Sequence, residues 1–244
     1  MKYVEYRDVL TEQFAAQFEE EAANIELAAT YCADSVRQGR VIHVFGCGHS
    51  QIFAMEVFYR AGGLVPVNAL LIPHLALFPR AKLSTMQERV EGFTDKYLEL
   101  ENTDPADTMI VASISGRNAG VVDMAIAARK RGMKVVALVS RQFADGTTSR
   151  HSSGQNLKDV ADVVIDIKCV SGDAALSIDG LEPRFCGTST VLAVAVMEAI
   201  VAQTIENCMD AGYHPPIYVS SNLDCGDQIN AEHIKNYSPL ISCL

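Results

Sequence analysis

An α/β fold with a parallel sheet covered by helices on both faces is predicted by three features of the chain. Apolar runs rich in β-branched residues recur at 41–46, 64–71, 108–114, 134–139 and 163–167, as expected of strands buried on both faces. These runs alternate with stretches of helical periodicity, the pattern that builds parallel sheets. Two of them pass directly into turns rich in glycine and serine, VFGCGHS and SISGRN. In such folds ligands sit outside the carboxyl ends of the strands. The 244 residues are 49% hydrophobic and contain no linker-like or repeated segment. We read a single domain, 1–244, with a core at about 41–202, a leading helix at 4–38 and a tail at 211–244.

From Val9 to Val36 the residues Leu10, Phe14, Phe18, Ala22, Ile25, Ala29, Cys32 and Val36 recur every three or four positions. This spacing predicts one long amphipathic helix ended by Gly39. Its length suggests that it packs against a partner subunit as well as its own sheet. The first strand begins at Val41 and ends at Gly46; Ser50 is placed to cap the next helix, which Gly62 and Gly63 close. After the second strand, 72–102 carries Pro73, Pro79 and mixed charge and reads as an insertion over the site. Within it, 84–100 is expected as one helix, with Ser84 as cap and Gln87 in the reciprocal position of a capping box. His74 reads as a surface residue.

The third strand leads through SISGRN into a helix at 119–131 closed by Gly132. A long loop, 140–156, follows the fourth strand and holds His151; long loops inside compact domains are often functional. The segment 188–209 is apolar nearly all round from Val191 to Val201 except for Glu198. It reads as too short to span a bilayer and as a central buried helix. The tail from Gly212, with Pro215, Pro216 and SSNLDCGDQIN, carries few helix or strand signals and is expected to wrap a neighbour or border the site.

With 20 Lys and Arg against 30 Asp and Glu, the formal charge is −10. That balance argues against nucleic acid or an anionic membrane as partner. MKYVEYRDVL has no signal-peptide core and no apolar run approaches about 20 residues, so a cytoplasmic protein is expected. The seven cysteines form no C-x-x-C pair, and their odd number points to reduced thiols. Cys47 alone lies where a helix start would lower a thiol pKa. Cys47 and His49 lack a second ligand pair at suitable spacing, so no metal is expected.

Gly46 and Gly48 let the backbone turn tightly beside a ligand, and the helix N-terminus that follows suits an anion such as phosphate. The third glycine of a dinucleotide fingerprint is replaced by Gln51, the second strand ends without an acidic residue, and no G-K-[ST] occurs. Nucleotide cofactors are therefore not expected. In the second turn Ser113, Ser115, Gly116 and Asn118 offer neutral donors for phosphate, and Arg117 a charged fork. Thr188 and Ser189, in GTST, give a further Gly plus Ser/Thr helix start.

Taken together these stretches resemble the SIS (sugar isomerase) domain family over about 41–202, and the long leading helix is similar to that of phosphoheptose isomerase-like members. GCGHS is similar to the family's glycine-rich turn ending in Ser, SISGRN to its S-x-S-G-x-[ST] phosphate loop, and GTSTVLAVAVMEAI to the helix beneath the site. The whole chain resembles a bacterial group of SIS proteins often labelled phosphosugar isomerases. The resemblance implies a three-layer α/β/α sandwich with a five-stranded parallel sheet, a sugar-phosphate ligand, no cofactor, and sites completed by neighbouring subunits of a homodimer or homotetramer. It implies that Ser113, Ser115 and Asn118 hold the phosphate, with Ser50 facing it. Asn118 departs from the family's Ser or Thr but keeps a donor. The glutamate that phosphoheptose isomerases carry ten residues after the loop serine is Arg60 here.

Aldose–ketose isomerisation through an enediol needs a base for the proton beside the carbonyl and a donor for its oxygen. Glu56 lies one and a half turns past Ser50 on an apolar stretch, so it is either that base or an i,i+4 partner of Arg60. His49 and then His151 are the candidate proton shuttles; His43 alternates into the strand as a core residue. Asp173 and Glu182 are further carboxylates after the fifth strand, and His214 and His233 are placed to reach a neighbouring site. The same fold also supports an amino-sugar phosphate deaminase or lyase, or a phosphosugar sensor that does no chemistry. No helix-turn-helix segment or basic stretch accompanies it.

Overall fold

In a computed structural model describing residues 1–244, the periodic N-terminal stretch forms two helices, α1 (Lys2–Glu20) and α2 (Ala22–Arg37), not the single helix predicted. The break falls at Glu21, a buried residue with φ −101° and ψ 6°. Its carboxylate meets Lys168 Nζ at 3.0 Å. A buried carboxylate must be paired, and Lys168 supplies the partner at the junction of the two helices, also meeting Glu20 at 2.8 Å.

The sheet is built as its apolar runs predict. β1 (Ile42–Gly46) leads to α3 (Gln51–Val57), β2 (Val67–Leu70) to α4 (Ala81–Gln87) and α5 (Phe93–Leu98), β3 (Thr108–Ala112) to α6 (Ala119–Lys130), and β4 (Lys134–Val139) to α7 (Arg141–Ala144) and α8 (Leu157–Val160). β5 (Val163–Asp166) is followed by a hairpin, β6 (Leu176–Ile178) and β7 (Leu181–Phe185), then by α9 (Ser189–Asp210) and α10 (Gly226–Tyr237). The strand order is β2-β1-β3-β4-β5 and every pairing is parallel.

Alternation along the strands splits the core in two, one half on each face of the sheet. Val44, Ile110, Val136 and Leu138 pack with α2, α3 and α9; Phe45, Met109, Val111 and Ala137 pack with α6 and α8. Each large side chain removed from water in this way contributes about 2 kcal/mol of transfer free energy. The result is the expected three-layer sandwich. α9 has 22 residues and is long and apolar enough to cross a membrane by length and composition, which corrects the shorter reading. Its inward stripe, Leu192, Val196 and Ile200, shares one core with Ala28, Cys32 and Val36 of α2.

Other boundaries differ where tertiary contacts outweigh local signals. α3 stops at Val57, and Gly62 and Gly63 serve the tail: Gly62 N–H donates to Tyr218 O (2.8 Å) and Tyr218 N–H to Gly63 O (3.0 Å). The expected 84–100 helix divides at Gly92, whose φ is 75° and whose N–H donates to Asp123 Oδ2 at 2.7 Å. Ser84 lies inside α4 with its hydroxyl donated to Leu75 O (2.7 Å), so no capping box forms there. The tail, expected to be irregular, contains α10, and Asn230 of that helix bonds Val219 through both its amide atoms (3.0 and 2.7 Å).

Candidate functional site

β1 and β3 are neighbours in the sheet, yet the helices that follow them cover opposite faces: α3 packs in one half of the core and α6 in the other. Their exits therefore diverge and leave a crevice, the place where open α/β sheets bind ligands. A cavity of about 510 Å³ opens there. The turn after β1 lines it with Cys47, Gly48, His49 and Ser50, and the turn after β3 with Ser113, Ile114, Ser115 and Asn118. The insertion contributes Leu77, Ser84, Thr85 and Glu88, and the start of α9 contributes Gly187, Ser189 and Thr190, beside Asp173 and Phe143.

The first turn depends on its glycines. A Cβ on Gly46 would overlap the carbonyl of Ser50, and Gly48 has φ 58°, a conformation that glycine adopts without strain. Gly46 thus shapes the turn without lining the cavity. Ser50 is buried in the wall and its hydroxyl has no protein partner; His49 stands exposed beside it. The expected lowering of the Cys47 thiol pKa is reversed. Burial pushes it well up, and the charge of Glu88 adds to the effect, so Cys47 is an inert wall residue.

In the second turn Gly116 has φ 62°; its N–H donates to Ser113 Oγ (3.2 Å) and its carbonyl accepts from Leu157 N–H (2.8 Å). The Ser115 hydroxyl and the backbone N–H groups of Ser115, Arg117 and Asn118 have no protein partner. Asn118 Oδ1 accepts from Arg150 Nη1 at 2.9 Å, which fixes the orientation of the amide. Arg117 departs from its expected place. Its guanidinium turns away from the cavity, donating to Thr148 O at 3.0 Å and reaching Thr148 Oγ1 at 3.4 Å.

The structure also moves the candidate proton-transfer groups. Glu56 does not line the cavity; it pairs with Arg60, which in turn reaches Glu198 Oε1 of α9 at 3.0 Å. This is the i,i+4 alternative, extended into a tie between α3 and α9. His151 lies outside the cavity too, its Nε2 2.9 Å from Asp123 Oδ1 and its Nδ1 2.7 Å from Ser153 Oγ. With Ser152 bonded twice to Glu91 at 2.7 Å, it pins the 147–156 loop onto α6 and the insertion. His43 is fully buried between Asp107 (3.2 Å) and Asn68 (3.1 Å).

Two carboxylates that sequence reasoning passed over or ranked low line the cavity instead. Glu88 is held by its own backbone, whose carbonyl accepts Gly120 N–H at 2.9 Å in the first turn of α6. Burial pushes its carboxyl above the usual range, against weaker opposing effects of Asn118, Arg89 and Arg150. Asp173 is committed to α9: its Oδ1 accepts the N–H groups of Thr188 (3.0 Å) and Ser189 (2.9 Å), and its Oδ2 accepts the Ser189 hydroxyl at 2.6 Å. Thr188 is buried with its hydroxyl unpartnered and does not line the cavity, and Ser189 has already given away its proton. Both were expected as donors to the ligand. Nothing in the local sequence separates Glu88 from other polar insertion residues, since its place depends on how the insertion folds over α6.

Comparison with known proteins agrees with this architecture. The SIS domain profile matches residues 5–140, so the leading helices belong to the domain. The UPF0309 protein of Geobacillus kaustophilus (strain HTA426) is 36% identical over 240 residues, 98% of this chain and 96% of its own length. That of Streptomyces coelicolor is 40% identical over 226 residues, 91% and 90% of the two chains. Among solved structures, phosphoheptose isomerase GmhA from Neisseria gonorrhoeae superposes with a TM-score of 0.53 at 18% identity, covering 86% of this chain and 97% of that one. A phosphoheptose isomerase from Francisella tularensis gives 0.52 at 17% over the same shares. The profile match, the near full-length likeness to UPF0309 proteins and the shared parallel-sheet fold together show that the chain belongs to the SIS domain family, within its UPF0309 group.

Proposed function

We propose that the protein binds a sugar phosphate in the crevice between the β1 and β3 exits and interconverts its aldose and ketose forms through an enediol. The observation that carries this reading is one cavity joining the uncommitted hydroxyls of both turns, Ser50 and Ser115, to the carboxylate of Glu88, which meets the Asn118 amide but is not tied to a helix end as Asp173 is. The phosphate is held by Ser50, Ser113, Ser115 and the Asn118 amide at the N-terminus of α6, where free N–H groups and the helix dipole favour an anion. Asp173 is spent on α9, and Arg60 occupies the position where phosphoheptose isomerases carry glutamate, so the base is Glu88.

In the forward step Glu88 takes the proton from the carbon beside the aldehyde, while His49 gives a proton to the carbonyl oxygen, forming the enediol. Loss of the other enediol proton to His49 and return of the first by Glu88 to the neighbouring carbon give the ketose. A raised carboxyl pKa makes Glu88 a stronger base than an exposed glutamate. We further propose that the protein works as a homodimer or homotetramer; Phe18, Leu27, Val191 and Met209 stand exposed on the helical layer and support a second copy there.

Thermal unfolding with a panel of aldose and ketose phosphates tests binding, because a ligand selective for the folded state raises Tm. At least one compound is expected to shift it; a flat panel would sink the site. NMR in D₂O then follows deuterium entering the carbon next to the carbonyl. Binding without exchange would replace the isomerase by a sensor.

A further inference from the structure

The two ends of the cavity differ in hydrogen-bond polarity, and that difference reaches past the reaction to the choice of substrate. We propose that the site accepts sugar monophosphates whose far end carries hydroxyl or ammonium donors and rejects bisphosphates and sugar-acid phosphates, with Asp173 as the specificity-determining residue. The inference rests on the phosphate being held at the β1 and β3 turns, as proposed above.

At those turns the cavity offers donors. Ser113 Oγ already accepts Gly116 N–H (3.2 Å), which leaves its own proton for a ligand. The hydroxyls of Ser50 and Ser115 are uncommitted. Arg150 occupies Asn118 Oδ1 (2.9 Å), which turns the NH₂ side of that amide toward Glu88. The charge of Glu88 at this end is offset by Arg89 and Arg150.

At the α9 end Asp173 and Ser189 accept, and the Thr190 hydroxyl is the side-chain donor that remains there. Asp173 makes three hydrogen bonds and all are as acceptor: two from the Thr188 and Ser189 N–H groups and one from the Ser189 hydroxyl. Ser189 has only one hydroxyl proton and has given it to Asp173, so toward the cavity its oxygen shows lone pairs alone. The helix N-terminus that would attract a second phosphate is thus already neutralised by a carboxylate. Gly187 keeps that carboxylate in place, because a Cβ there would stand 2.7 Å from Asp173 Oδ2. An incoming phosphate or carboxylate meets like charge and lone pairs; an incoming hydroxyl or ammonium meets acceptors.

Calorimetric titration of the full-length protein decides the matter, using matched pentose and hexose monophosphates and bisphosphates, a 6-phosphoaldonate and inorganic phosphate. Wild-type protein is expected to bind the best monophosphate at least about tenfold more tightly than its bisphosphate or the aldonate, since like-charge juxtaposition is costly. In Asp173→Asn the amide oxygen still accepts the two N–H groups while the NH₂ donates to Ser189 Oγ, turning the Ser189 proton toward the cavity. The preference should then shrink to within about threefold, with inorganic phosphate binding unchanged. Ser189→Ala, which keeps the carboxylate, should retain the full preference.

Equal binding of mono- and bisphosphates by the wild type overturns the proposal, as does a preference that survives in Asp173→Asn or is lost in Ser189→Ala. Binding of inorganic phosphate alone overturns it as well, while leaving the phosphate site standing. If inorganic phosphate and every sugar phosphate fail to bind, the phosphate reading itself falls and this one with it.

Discussion

Glu88 owes its role to a backbone bond: Gly120 N–H holds its carbonyl, and the carboxyl is left in the cavity wall, where burial raises its pKa. Replacing Glu88 by Gln should lower kcat by about 10²–10⁴-fold, the range of general-base catalysis, and leave KM within a few fold. Only the deprotonated form is a base, so kcat/KM should fall as the pH drops through a pKa above that of free glutamate, and this limb should vanish in the variant. The same shift has a stability consequence of opposite sense. The folded protein binds the Glu88 proton more tightly than the unfolded chain, so stability declines as pH rises from the unfolded pKa through the folded one. Glu88→Gln should therefore raise Tm near neutral pH, as calorimetry can show. At this scale the sequence was legible where chemistry and turn coincide. Ser50, Ser113 and Ser115 sit beside glycines that can only be turns, whereas Glu88 and Asp173 face the cavity through contacts made far along the chain. Periodicity placed Glu56 on a helix but could not tell which layer that helix's charged face would meet.

Elements depend on how their ends are tied, and the starts of β1 and β3, at the far end of the sheet from the cavity, are tied by Asp107. Its fully buried carboxylate accepts from Arg40 Nε (3.0 Å), Val41 N–H (3.1 Å) and Asp104 N–H (2.6 Å) and meets His43 at 3.2 Å. Burial alone would raise its pKa, but His43, Arg40 and the Val41 N–H outweigh it and hold the carboxyl below the usual range. A depressed folded pKa contributes stability that is present above the unfolded pKa and is lost as pH falls through the folded value. Asp107→Ala leaves the Arg40 guanidinium and one face of His43 without their carboxylate and should cost about 3 kcal/mol, measured by urea unfolding, with a weaker acid dependence than wild type. The strands themselves were readable because continuous apolar runs of this length have few other uses. The division of the insertion at Gly92 was not, because Asp123 supplies its partner from α6; nor were the hairpin β6–β7, whose residues are mostly exposed and lack an apolar alternation, and α10.

For the whole molecule the exposed question is the edge of the sheet. β2 is an edge strand, and an uncovered edge invites pairing with other chains. The tail closes it from two sides. Leu64 bridges Ile217 in antiparallel fashion just before β2, with Val65 N–H donating to Pro216 O at 3.0 Å. Beside β2, Glu101 accepts from Asn68 Nδ2 (3.0 Å) and Ser242 Oγ (2.8 Å), and the Cys243 thiol lies 3.6 Å from Ala69 O. The layered architecture could be read from alternating strands and helices; this covering could not, since Ile217, Ser242 and Cys243 meet their partners near β2 across more than 130 residues of sequence. Ending the chain after Gly212 should therefore lower Tm and convert the protein to higher-order species detectable by light scattering. Glu101→Ala, which releases Asn68 and Ser242 together, should lower Tm by a smaller amount and leave sugar-phosphate binding intact, because the cavity lies one strand away. A truncated chain that stays monodisperse with an unchanged Tm would show that β2 needs no cover.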